Sequence, residues 1–120
     1  MLQLTPEILE GAYEFLKTTP PFNRWKLADC DDVVFKVSKQ KKEFAHYQWL
    51  NHTHTITVSM CLNGYTLTLL QNMAHEMIHM YLEERNMDGF GNIDTHNTMF
   101  KKLAAQVCKY HGFDPKAFYY

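Results

Sequence analysis

Five consecutive residues, His75-Glu76-Met77-Ile78-His79, hold the densest chemistry in the chain. On a helix, two histidines four apart stand one turn from each other, about 6 Å along the axis, so both imidazoles can reach one cation. Glu76 is offset from that pair, which aims its carboxylate at a water on the metal rather than at the metal. Zinc lowers the pKa of a bound water to about 7, Glu76 takes the proton, and hydroxide attacks a carbonyl that the metal polarises. This is the chemistry of a zinc hydrolase with Glu76 as general base. The string alone occurs by chance in many proteins. Its setting adds weight, because a buried helix that held two histidines and a glutamate without a shared partner would be strongly destabilised.

A catalytic zinc site usually takes three protein ligands and keeps one position open. A third histidine six residues after the second is absent, since Leu82 and Arg85 occupy the places of its glycine and histidine. Glu83 lies about 12 Å along the axis from His75 and cannot join the pair comfortably. His96 is better placed. It shares an i, i+4, i+7, i+11 stripe with Phe100, Leu103 and Val107, and a loop with Gly89 and Gly91 lets that face turn back on the first helix. The expected ligand set is therefore His75, His79 and His96. His111 would lie about 22 Å further along a continuous helix, so its expected role is a cation at the helix C-terminus.

These residues need elements to position them. Thr5-Pro6-Glu7 opens a first helix with Thr5 as cap and Pro6 in the first helical position, and Thr18-Thr19-Pro20-Pro21 ends it. Val33–Val37 is a β-prone run, and Glu43 to Leu50 reads as a second strand returning as its hairpin partner. His52, His54, Ile56, Val58 and Met60 then alternate with Thr53, Thr55, Thr57 and Ser59, the pattern of a half-buried antiparallel strand with a polar outer face. After Asn63-Gly64 comes the histidine-bearing helix, about Leu67 to Asn86, with a possible capping box at Thr68–Gln71. A last helix starts near Asp94 or Thr95 and stops at Gly112. The order is α-β-β-β-α-α, a small α+β domain over residues 1–120.

His75, Glu76 and His79, together with His96-Asn97-Thr98-Met99-Phe100 and the strand His54–Ser59, resemble the SprT-like metalloprotease family, which includes Spartan. The resemblance runs from about Val33 to Phe113. It implies a zincin-like fold, with a three-stranded, mainly antiparallel sheet packed on the active-site helix. It also implies one zinc ion and proteolysis of protein or peptide substrates, in the best-known members proteins bound to DNA. The chain departs from those members in carrying no zinc-ribbon cysteines after the core.

Composition bounds the rest. With 120 residues, 46% hydrophobic and 14% aromatic, one core can be filled, and a disordered chain is excluded. The net charge of −1 removes any whole-protein electrostatic case for nucleic acid or an anionic membrane as the main partner. Cys30, Cys61 and Cys108 form no Cys-x-x-Cys pair and read as free thiols. With no apolar leader and no spanning segment, the expected setting is cytoplasmic or nuclear, and the expected state a monomer.

Three further readings stay open. His54, Thr55, Ile56, Thr57 and Val58 could bind substrate as an added strand if the third strand lacks an outer neighbour. Lys36, Lys39, Lys41 and Lys42 read first as a solvated hairpin turn, or else as a DNA-facing patch with Trp25 and Trp49 as stacking surfaces. His46, His52 and His54 could share a metal, although strand-end histidines in solvent are the plainer reading. Tyr47 and Tyr81 are candidate oxyanion stabilisers. Set against the peptidase are a zinc hydrolase of a non-peptide amide, and a DNA- or protein-binding module with a structural zinc.

Overall fold

The structure, a computed structural model, describes residues 3–85 and 98–118. Helix α1 (Pro6–Lys17) starts where the capping signal places it: the Thr5 hydroxyl accepts from the Ile8 amide at 3.2 Å, with Pro6 just inside. Leu9, Ala12, Tyr13 and Leu16 form its buried face. At the other end the hydroxyls of Thr18 and Thr19 donate to the Glu14 and Leu16 carbonyls, satisfying groups that the last turn leaves open.

Three strands follow: β1 (Val33–Ser38), β2 (Ala45–Leu50) and β3 (Thr53–Ser59). Their order in the sheet is β1-β3-β2, which corrects the expected pairing. β1 runs parallel to β3, from Val33 opposite His54 to Ser38 opposite Ser59. β2 runs antiparallel to β3, from Ala45 opposite Val58 to Leu50 opposite Thr53. The sheet is mixed rather than mainly antiparallel, and the hairpin joins β2 to β3 instead of β1 to β2. Its loop is the two residues Asn51 and His52, both left-handed at φ 51° and 59°, as a tight turn matched to the strand twist requires.

β3 is consequently the central strand, and its polar face is partly covered, with Thr53 and Thr57 half-buried. Thr55 and Ser59 are buried; the Ser59 hydroxyl donates to the Gln40 carbonyl at 2.6 Å. Asn63 donates to the Ser59 and Phe44 carbonyls at 2.7 and 2.9 Å and accepts from Asn72 at 2.7 Å, tying the strand's exit to the next helix.

That helix, α2 (Thr66–Glu84), buries every residue from Asn72 to Met80, as its nearly continuous apolar circumference requires. It begins two residues before Thr68, so the expected capping box falls inside the first turn, and Tyr65 caps it without a side-chain bond. α3 (Thr98–His111) packs on α2 through Phe100, Leu103, Ala104 and Val107. It ends at Gly112, where φ is 75° and the amide returns to the Cys108 carbonyl at 2.8 Å. The expected start of α3 at Asp94 or Thr95 lies outside the described residues. A short helix not anticipated from the sequence, α4 (Pro115–Phe118), follows; Asp114 caps it and Pro115 occupies its first position. The whole is one α+β domain whose helices pack against a three-stranded mixed sheet. No described helix is long and apolar enough to cross a membrane, and the three cysteines are free.

Candidate functional site

His75, Glu76 and His79 come together in the middle of α2, each no more than 3% exposed. The helix alone fixes the spacing: the two imidazole centroids are 5.0 Å apart. Phe100, from the first turn of α3, lies 5.0 Å from the His75 ring and 4.6 Å from the His79 ring. Phe100, on the apolar stripe of α3, thus faces the α2 pair. His96 itself lies outside the described residues.

α4 supplies what sequence reading missed. The Phe118 carbonyl oxygen stands 2.8 Å from His75 Nδ1, with the Phe118 ring 5.5 Å from the imidazole. A carbonyl can only accept, so Nδ1 carries the proton and Nε2 presents the lone pair. Metal-bound histidines usually have their second nitrogen held in this way, which sets the tautomer and the ring orientation. The Asp114-Pro115 cap was the available signal for α4, but nothing in the sequence aims its carbonyl at His75.

A buried pair of nitrogen ligands beside a buried carboxylate fits a borderline cation such as zinc, with Glu76 as the group able to take a proton from water. Among the described residues no group of three His, Cys, Asp or Glu side chains that could hold a metal ion is found.

A second polar cluster has its own logic. His54 on β3 is buried; its Nδ1 is 2.7 Å from the Tyr47 hydroxyl and its Nε2 is 3.1 Å from Glu84 Oε1. Burial lowers the His54 pKa, against the pull of Asp32. Burial also raises the Glu84 carboxyl, against Arg85 and the Ala28 amide. Trp49, opposite His54 across the β2–β3 register, lies 4.8 Å from its ring. These side chains border a cavity of about 460 Å³ lined by Trp49, His54, Glu83 and Glu84. The hydroxyl of Tyr47 is thus committed to His54, while Tyr81 packs on Trp25 under the Arg85 guanidinium.

Several expectations are corrected by this arrangement. The backbone of His54 to Val58 is paired on both sides, so no substrate strand can add there; among the described residues the open edges belong to β1 and β2. His46 sits opposite Thr57 and so faces away from His54, while His52 lies in the turn against Trp49; the three do not share a cation. His111 does end α3, but in a half-buried setting that disfavours the charged ring. Burial lowers its pKa, its Nε2 is 3.1 Å from the Thr19 hydroxyl, and its ring stacks on Phe113.

Lys36, Lys39, Lys41 and Lys42 are all exposed, as a solvated turn requires. Gln40 builds that turn by accepting from the amides of Lys42 and Glu43 at 2.6 and 2.9 Å. The proposed stacking residues do not flank it: Trp25 is buried against Phe22 and Tyr81, and Trp49 stands at the opposite end of β2. No protein-family model matches the chain, and neither the curated proteins nor the solved structures contain a match to it.

Proposed function

We propose that the chain is a zinc-dependent metallopeptidase in which His75, His79 and His96 hold the metal and Glu76 is the general base. The observation that carries this reading is the enclosure of His75, Glu76 and His79 on one helix, with the His75 tautomer set by the Phe118 carbonyl. Two imidazole nitrogens one helical turn apart beside a carboxylate are a donor set that suits a divalent cation. Bound there, zinc would supply Lewis-acid polarisation of the amide and acidify water. Glu76 would then accept the proton and pass it to the leaving amine. An extended peptide could reach this helix along the open edge of β2, the strand packed most closely on α2.

The decisive experiment is Glu76→Gln, with zinc content and cleavage of an unfolded protein substrate measured together. Retained zinc with lost turnover supports the peptidase; turnover that persists overturns it. A binding module with a structural zinc would show no cleavage in either form. The lysine turn bears on substrates held on nucleic acid. If the Lys39/Lys41/Lys42 alanine variant binds single-stranded DNA at low salt as the parent does, a DNA contact through that turn is removed from the reading.

A further inference from the structure

We infer that the end of the sheet where β1 and β3 finish and β2 begins is a docking surface for an anionic lipid bilayer. The strand register places these termini side by side, with Ser38 opposite Ser59 and Ala45 opposite Val58. The connection from β1 to β2 carries Lys39, Lys41 and Lys42 there, and Lys36 stands on β1 just before it; all four are exposed. Between Lys36 and Leu67 the sequence holds a single acidic residue, Glu43, and the first turn of α2 carries none. This end is therefore locally cationic on a chain whose net charge is −1.

Apolar side chains gather at the same end. Tyr65 and Leu67, at the start of α2, are 70% and 61% exposed, the highest values among the large hydrophobic side chains of the described residues. Met60 and Cys61, in the loop before them, are exposed as well. Hydrogen bonds join this loop to the lysine turn. The Met60 amide donates to the Ser38 carbonyl at 2.9 Å, the Cys61 thiol to the Lys39 carbonyl at 3.2 Å, and the Asn63 amide group to the Phe44 carbonyl at 2.9 Å. The basic and the apolar groups are thus held by the fold as one surface.

That mixture selects the partner. Lysine lays its methylenes over apolar matter and keeps its charge among the headgroups, where tyrosine also settles, while leucine and methionine enter the acyl boundary. Single-stranded nucleic acid makes little use of aliphatic side chains, since its bases stack on aromatic or guanidinium planes. Protein interfaces are depleted of lysine. An anionic bilayer uses both halves of the surface, and each lysine there contributes about fivefold in affinity. His75 lies nine residues after Thr66, so a docked protein would hold it about 14 Å along the helix from this end. Docking needs neither zinc nor turnover and is independent of the peptidase reading.

The test is sedimentation of the whole protein with vesicles at low ionic strength. One set is phosphatidylcholine alone, the other phosphatidylcholine and phosphatidylserine at about two to one. Saturable binding to the mixed vesicles is expected, about tenfold or more weaker to phosphatidylcholine alone and about tenfold or more weaker in the Lys39/Lys41/Lys42 alanine variant. The double variant Tyr65→Ser with Leu67→Ser should bind the mixed vesicles several-fold more weakly, because adsorption by charge alone would leave it unchanged. All five side chains are exposed, so both variants should keep the circular dichroism of the parent. No binding to mixed vesicles, equal binding to phosphatidylcholine alone, or undiminished binding in either folded variant each overturns the proposal. Binding to single-stranded DNA or polyglutamate with none to vesicles assigns the surface to a soluble polyanion and overturns it too.

Discussion

Two histidine clusters are built in opposite ways. His75 and His79 lie on one helix, where backbone geometry alone sets their separation, and they are closed in by Phe100 and Phe118. His54 draws its partners from two other elements, Tyr47 on β2 and Glu84 at the end of α2, and opens onto a cavity. The first arrangement sets two imidazoles and a carboxylate side by side on one helix, a donor set that suits a metal. The second joins donor to acceptor until the ring is satisfied, which suits a structural tie at the wall of a pocket. Both are buried; what differs is that one helix sets the first and two elements assemble the second at the border of a cavity.

Breaking the first cluster should have the largest effect. Glu76→Gln is expected to reduce peptide cleavage by about 10²- to 10⁴-fold, the usual contribution of a positioned general base, with zinc content unchanged. Removing residues 115–120 takes away the Phe118 carbonyl and should weaken zinc binding by about 10- to 100-fold, measured by competition with a chromophoric chelator. Unchanged affinity in a folded truncation would show that the tautomer is set without α4.

The second cluster should respond in stability instead. Tyr47→Phe leaves His54 Nδ1 without its donor and should cost about 1–2 kcal/mol in urea unfolding, with zinc stoichiometry unaltered. If zinc is lost as well, the two clusters are one unit.

The smallest effect concerns a third histidine. Burial lowers the pKa of His111, so the folded state binds its proton less readily than the unfolded chain does. The stability that goes with the neutral ring is intact above the unfolded value near 6.5 and falls as pH drops from there toward the folded value. His111→Asn should flatten part of the decline in urea midpoint between pH 7.5 and 5. An unchanged slope assigns the decline to other groups.

What could be read from the sequence follows the range of the forces involved. The Thr5-Pro6 cap, the span of α2 and the spacing of His75 and His79 depend on neighbours within a turn, and all were legible. Strand order was not. The parallel β1–β3 ladder joins residues about twenty positions apart, and nothing local distinguishes it from a β1–β2 hairpin. The actual hairpin turn, Asn51-His52, lacks the glycine that marks such turns, whereas Asn63-Gly64 carries that mark and closes no hairpin. Alternation in β3 correctly showed a strand but could not show that Thr55 and Ser59 on its polar face would be buried. Glu84 as the partner of His54, thirty residues away, belongs to the same class of long-range fact.

The Phe118 carbonyl gives α4 an influence out of proportion to its four residues. So short a helix has few contacts of its own, and segments of that kind open on their own long before a domain unfolds. Each such opening would leave His75 free to rotate and exchange tautomers while α2 stayed intact. The rate at which a metal leaves this site would then be governed by the undocking of a peripheral segment, and hydrogen exchange at Ala117 and Phe118 would report it directly.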